Sequence, residues 1–587
     1  VGVLKLIIKE YLASLKERGE LDDVLPDLLS QMGLNVYSRP TRGTRQDGVD
    51  VAAVGSIDGE PEKVYLFSIK PGDLNRKDWS SDSPQSLRPS LNEILDSYIP
   101  SRLPVEHRDK SIVICIAIGG DVHETARSLV TGYISTNTKN NVSFEEWNGD
   151  KLADLIQSSF LREDLLPATS RSLFRKSLAL LDEPDVSYRN FAALVRSLSA
   201  VESLSDAQKI TAIRQMSICL WILYSWAREA KNLESAYRSG ELSVLHAWNI
   251  LKPYAGRGTH AALAVETAFL SIFSVYQQIS TQYLKQNVLP YADKSHAVSV
   301  AVRGSTGLDI NLKLFEILGR LGMDGIWAYW GILRFPNEDD HLKQERLKEV
   351  RMYSDSVRAL IENNPALYLP ATDDQAIDIF IAMSFLMTDG RNYDFAKDWM
   401  AEMFRRASFT VRANGKYPCT LHSYAELLEH PKKADKDYKT SVTQGSILYP
   451  CISLWAALLG DDVTFQQVAQ LKKDELQHCT FQFWYPDENS EDALYTNSMS
   501  HGATLAHLAV DRTKAEFLKQ VFGECEHSPH FHELSAVKFA WWPLVLAACR
   551  HYRLPVPLHV LLDLYKAVNT VSDGENVAPT APTITEK

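Results

Sequence analysis

The chain has 587 residues, 45% of them hydrophobic, and a formal net charge of -12, enough length to bury a large core and divide into roughly two to four domains. The acidic balance gives no general pull toward nucleic acid or anionic membrane, so any grip on phosphates needs a local basic patch. Seven cysteines without a CxxC pair exclude a disulfide framework and read as reduced thiols of a cytoplasmic protein.

The opening "VGVLKLIIKEYLASLKERGE" carries an apolar stripe broken by Lys5, Lys9, Glu10 and Lys16 and has no small-residue cleavage site. That pattern predicts an amphipathic helix and not a signal peptide. Next, "LDDVLPDLLSQMG" sets Leu21, Val24, Leu25, Leu28 and Leu29 at helical spacing and stops at Gly33. Pro26 either starts this helix or kinks it, because proline lacks the backbone donor. A strand "NVYSRP" follows, then the runs "GVDVAAVG" and "KVYLFSIK", separated by the turn residues of "SIDGEPE". The alternation continues with "SLRPSLNEILDSYI" as helix, "KSIVICIAIGG" as strand, "HETARSLVTGYIS" as helix, "NVSFEEWNG" as strand and "DKLADLIQSSF" as helix. Apolar at nearly every position, "SIVICIAIG" predicts a central strand covered on both faces, as in an α/β layer.

Beyond about Glu163 the pattern changes. Segments such as "ITAIRQMSICLWILYSWAREA" and "HAALAVETAFLSIFSVYQQISTQYL" place apolar residues at three- and four-residue intervals without a recurring repeat, which predicts an all-helical region to about Val568, as a bundle or an irregular solenoid. The runs "SICLWILYSWA" and "AVKFAWWPLVLAAC" fall short of the roughly 20 residues a membrane span needs, so no membrane partner is expected. The tail "NTVSDGENVAPTAPTITEK" is small, polar and proline-containing and reads as disordered. The expected division is 1–162 as an α/β domain, 163–568 as a helical domain for oligomerisation, sensing or partner binding, and 569–587 as a tail.

The lysine that closes "KVYLFSIK" is the first chemical signal. If this run pairs with "GVDVAAVG" as a hairpin, Ser68 and Lys70 share one face and Asp50 can look toward them. A carboxylate, a second oxygen ligand and an ammonium at a sheet edge suit Mg²⁺ (or Mn²⁺) and a water molecule, because the ion lowers the water's pKa and offsets charge building on a phosphate. The plainer alternative is a salt bridge across the hairpin, since an Asp followed at a distance by Lys is a short and common pattern.

The order helix, strand, Asp50, turn, strand ending Ser68-Ile69-Lys70, helix, strand resembles the PD-(D/E)XK nuclease superfamily, specifically its Mrr-like restriction endonuclease branch. "LDDVLPDLLSQMG" stands in the first motif with Asp22 where the family has glutamate, "DGVDVAAVG" supplies Asp50, "FSIK" supplies Lys70, and "VSFEEWNGDKLADLI" resembles the closing strand and helix. The resemblance covers about the first quarter of the chain. It implies a restriction-endonuclease-like α/β domain that hydrolyses DNA phosphodiester bonds with Mg²⁺. Asp50 would be the principal metal ligand, Asp22 would complete the metal shell, Lys70 would orient the nucleophilic water, and Ser68 would give a marginal contact. It also implies a bacterial anti-phage role in which the helical region self-associates or meets a partner such as an NTPase. Arg42 and Arg45 before Asp50, and Arg76 and Lys77 after Lys70, would hold the DNA backbone on either side of the scissile bond.

Ser68 departs from the family, which has Glu or Gln two residues before the lysine. Its neutral oxygen is a weaker ligand, and it favours the rival expectation of a catalytically degenerate scaffold that binds nucleic acid or a partner protein. Elsewhere, Cys525, His527, His530 and His532 have the ligand types for zinc but lack a second spaced pair. No GxxxxGK[ST] or GxSxG run occurs, so a P-loop nucleotide site and a nucleophile elbow are not suggested.

Overall fold

The computed structural model describes residues 5, 8, 9, 12, 13, 15, 21–39, 46–57, 59–80, 86–139, 141–160, 168–200, 204–302, 304–335, 339–432, 435, 437–497 and 501–566. The chain divides into two units, Val1–Ile279 and Ser280–Lys587. Arg42, Arg45 and the expected 569–587 tail lie outside the described residues.

In the first unit, α1 (Asp22–Gln31) leads into β1 (Asn35–Ser38), β2 (Val51–Gly55) and β3 (Lys63–Lys70). The helix begins at Asp22 and runs through Pro26. The proline carbonyl accepts the Ser30 hydroxyl at 2.8 Å, and only one ladder bond near the helix start is lost. The three strands form an antiparallel meander, as short turns allow. A parallel strand needs a longer crossover, and α2 (Arg76–Trp79), α3 (Leu87–Glu93) and a π-helix at Ile94–Arg102 supply it before β4 (Ser111–Ile118). Then α4 (Glu124–Asn137) leads to β5 (Val142–Trp147), and α5 (Gly149–Phe160) follows. The sheet order is β1-β2-β3-β4-β5, with β3, β4 and β5 mutually parallel.

Both faces of this sheet are covered. Ala52, Leu66, Ile114 and Ile116 pack against Trp79, Leu91, Ile94 and Val130 from α2, α3, the π-helix and α4. On the other face Phe67 meets Trp147 edge-on at 5.0 Å, and α1 packs against α5. The all-apolar β4, buried everywhere except at Ser111, is therefore the inner strand its sequence predicts.

The same unit continues into helices α6 (Ala168–Ala179), α7 (Pro184–Ser199), α8 (Asp206–Glu229), α9 (Glu234–Leu251) and, as far as Ile279, α10 (His260–Asn287). Gln31 of α1 receives Arg214 Nη1 at 3.2 Å and donates to Thr211 at 3.1 Å, both residues of α8. Burial pushes the Asp27 carboxyl up, against the opposing pull of Arg214. By length and composition α10 could cross a membrane; its Val265, Phe269, Ile272 and Ile279 are fully buried, while Leu263 and Leu270 are exposed.

The second unit is built mainly from α11 (Gly307–Arg334), α12 (Asp340–Asn363), α13 (Ala376–Leu386), α14 (Tyr393–Arg412), α15 (Tyr424–Glu429), α16 (Leu448–Leu458), α17 (Asp462–Asp474), α18 (Lys514–His527) and α19 (Pro543–Tyr552). Gly319 and Gly325 let α11 lie directly on α13: a Cβ at either would sit 2.1 Å from Asp378 Oδ1 or 2.3 Å from the Phe385 ring. Two short ladders interrupt the expected all-helical run, β6 (Gly445–Ser446) with β7 (Thr480–Phe481) and β8 (Phe483–Tyr485) with β9 (Ala503–Leu505). Strands this short leave no periodicity in a sequence window. All seven cysteines are buried as free thiols.

Candidate functional site

The β2–β3 ladder pairs Val51 with Phe67, Ala52 with Leu66 and Val54 with Val64. One further step of that register sets Asp50 across from Ser68, and Lys70 follows one alternate position along. Ala52, Val54, Val64 and Leu66 face α3, the π-helix and α4, so strand alternation puts Ser68 and Lys70 on that same face. The Asp50 amide donates to the Phe67 carbonyl at 2.8 Å. Its Oδ2 accepts the Ile69 amide at 2.8 Å, between the two candidate residues of β3. Ser68 and Lys70 are 1% and 8% exposed. The Ser68 hydroxyl has no hydrogen-bond partner among the described residues, whereas Asp50 and Lys70 both have partners.

A tight turn aims Asp50. Asp47 and Gly48 have φ of 47° and 83°, the left-handed region that glycine tolerates best. A Cβ on Gly48 would lie 2.0 Å from the Ser90 carbonyl oxygen of α3. Arg102, at the end of the π-helix, pairs with the buried Asp47 at 2.5 Å. The turn is held from both sides. Its "DG" dipeptide is a turn signal in the sequence; Arg102 carries no local signal and was not anticipated.

The loops after β3 and β4 are zipped together. Gly119 donates to the Lys70 carbonyl at 3.3 Å, Gly120 to that of Gly72 at 2.8 Å, and Asp121 to Asp73 Oδ1 at 2.8 Å. The N-terminal segment lies against this edge: a Cβ on Gly119 would fall 2.3 Å from the Leu12 carbonyl. Lys5 pairs with Asp150 and Asp154, and Lys9 with Asp121. Its bond to Lys5 holds the Asp150 carboxyl below the usual range.

Of the other expected site residues, Asp22 is half-buried at the first position of α1, on a different element from the β2–β3 pair. Arg76 and Lys77 are exposed at the start of α2, where Asn75 Oδ1 accepts the Lys77 and Asp78 amides. Trp79, the last residue of α2, is 1% exposed and meets Tyr133 edge-on at 5.5 Å in the core. Among the described residues no three His, Cys, Asp or Glu side chains form a metal cluster. In the candidate zinc run, His530 pairs with Glu533, His527 meets the Gly523 carbonyl, and burial pushes the Cys525 thiol up.

The donor set at the β2–β3 end suits Mg²⁺ better than zinc. Such an ion commonly takes one or two carboxylates and fills its remaining positions with waters and substrate phosphates. Asp50 offers the carboxylate, and Ser68 a buried hydroxyl oxygen that nothing described engages.

No family model, no curated protein and no solved structure matches the chain.

Proposed function

We propose that the N-terminal α/β layer is a nuclease domain of the PD-(D/E)XK type, and that the chain is a metal-dependent DNA endonuclease subunit acting in bacterial anti-phage defence. One observation carries this reading: the Asp50 carboxylate is bonded to the Ile69 amide, between Ser68 and Lys70 at the end of β3. The element order α1, β1, β2, β3, crossover helices, β4 supports it.

In this reading Asp50, with Ser68 as a weak oxygen donor, holds Mg²⁺ or Mn²⁺, and Asp22, at the start of the helix on the opposite sheet face, is left out of the metal shell. The bound ion supplies charge neutralisation at the phosphate and a water of lowered pKa. Lys70, buried on the same face, fixes the attacking water or a phosphate oxygen by its ammonium protons. Arg76 and Lys77, exposed after the β3 loop, pair with backbone phosphates, giving a salt-sensitive and sequence-independent grip. The helical region sets when the site acts, by self-association or through a partner such as an NTPase.

A second reading follows from Ser68. Its neutral oxygen replaces a carboxylate or amide, which favours a degenerate nuclease fold serving as a scaffold. Plasmid incubated with Mg²⁺ or Mn²⁺ separates the two. Cleavage by the parent, lowered by about a hundredfold or more in Asp50→Ala and Lys70→Ala, is the expected outcome. No cleavage of DNA by the parent, with or without an added NTPase partner, sinks the enzyme reading and leaves the scaffold.

A further inference from the structure

The second unit carries a feature that the nuclease reading does not use. Two hollows adjoin where the end of α14 meets the start of α11. One, of about 350 Å³, is lined by Pro365, Ala366, Leu369 and Phe409, with Arg405 and Arg406 at its edge. The other, of about 270 Å³, is lined by Leu308, Leu369, Leu427 and Leu428, with Lys416 beside them. Asn311 and Leu369 belong to both, so the two make one trough.

Folding leaves apolar side chains of this trough in water. Phe409 is 70% exposed, Leu428 is 42%, and Tyr424, on the same short helix as Leu428, is 43%. Such a concentration marks an interaction surface. Two polar side chains set into the floor are engaged, whereas the buried Tyr417 hydroxyl, in the wall of the second hollow, has no hydrogen-bond partner among the described residues. Asn311 donates to the Ala366 and Leu369 carbonyls at 3.2 and 2.8 Å and accepts from Gln375 at 3.1 Å. Both ring nitrogens of His430 are used, by the Tyr438 hydroxyl and the Tyr417 carbonyl. The floor therefore offers shape, apolar surface and the unpaired Tyr417 hydroxyl. The charged side chains lining the hollows are cationic: Arg405 and Arg406, which share the single carboxylate of Glu402 at 2.6 and 2.7 Å, and the exposed Lys416; Glu426 and Glu429 are exposed on the short helix that carries Leu428.

We propose that this trough docks an extended peptide segment of a partner protein, one that places two apolar side chains in the hollows and carries Asp or Glu beside them. Charge complementarity selects this occupant, because acidic flanks meet Arg405, Arg406 and Lys416 while the apolar anchors meet Leu308, Leu369, Leu427 and Leu428. A single-stranded nucleic acid shares the charge preference but needs exposed aromatic faces in series; Tyr417 and His430 of the second hollow are buried, and the exposed rings at the trough are Phe409 and Tyr424.

The test pans a random peptide phage library on the full chain and measures the best peptide by fluorescence anisotropy. Enriched peptides are expected to combine apolar and acidic residues and to bind more weakly as salt rises. Phe409→Asp and Leu428→Asp should each weaken binding about tenfold or more, while Val300→Asp, at a 74% exposed position outside the trough, leaves it unchanged. Both target side chains are exposed, so the variants should fold, and matching thermal melts check this. Absence of enrichment, a basic consensus, or equal binding to Phe409→Asp overturns the proposal. So does labelled oligo-dT binding that Phe409→Asp abolishes, which assigns the trough to nucleic acid. A dimer seen in sedimentation and lost in that variant equally overturns it, in favour of a second copy of the chain.

Discussion

Two buried titratable residues of the second unit set opposite pH slopes. Asp373 accepts the Ser446 hydroxyl at 2.5 Å and the Ile447 amide at 2.8 Å, yet burial pushes its carboxyl up to about 6. A raised acid stabilises the fold while protonated, fully so below the unfolded value near 3.8, and that contribution is lost as pH rises through about 6. His559 stacks on Phe531 at 4.6 Å, and burial pushes it down to about 4 from 6.5. A lowered base acts the other way: its contribution is present above 6.5 and is lost as pH falls through about 4. Each shift corresponds to about 3 kcal/mol, and the two largely cancel in the parent between these limits. Urea melts at pH 4, 5, 6 and 7 should show Asp373→Asn losing stability toward acid, with the His559 slope exposed, and His559→Phe losing stability toward neutral pH. Parallel curves for parent and both variants would remove this account. At this scale the common face of Ser68 and Lys70 was legible because strand alternation has a period of two. Arg102 was not, since an ion pair between residues far apart in the chain leaves no spacing to read.

Among elements, the turn before β2 shows how backbone geometry places a functional carboxylate. Gly48 combines a φ of 83° with a Cβ position 2.0 Å from a carbonyl oxygen, so Gly48→Ala meets both strain and a steric clash. We expect it to lower stability by about 2 kcal/mol or more and to speed hydrogen exchange at the Ile69 amide, which Asp50 holds. Protection at Ile69 equal to the parent's would show that the turn does not position Asp50. Pairing of "GVDVAAVG" with "KVYLFSIK" and the inner placement of β4 were legible from apolar runs bounded by turn residues. The π-helix at Ile94–Arg102 was not, because a widened turn, here containing Pro100, has the same apolar spacing over one or two turns as an α-helix. The short β6–β9 ladders arise from tertiary pairing of a few residues and have no sequence pattern of their own.

Across the whole molecule, composition separates an alternating α/β start from a helical remainder, and the structure has that coarse layout. Composition does not reveal that α1 of the sheet layer is tied to α8 through Gln31, Thr211 and Arg214, or that contacts group residues 1–279 together. Such ties join half-buried polar groups across long sequence separations, and removing one side takes a hydrogen-bond partner from the other. A chain ending at residue 162 should therefore be less soluble and melt less cooperatively than one ending at Ile279; equal melts by circular dichroism would show that α8 adds nothing to the sheet layer.

The seven cysteines have a practical corollary. Each thiol lies inside the protein, and burial suppresses the thiolate that alkylating reagents attack. The native chain is thus chemically silent toward maleimides, and a single cysteine introduced on the trough wall or beside Arg76 would be its sole reactive handle, ready to carry a fluorophore or spin label without stripping out any natural sulfur.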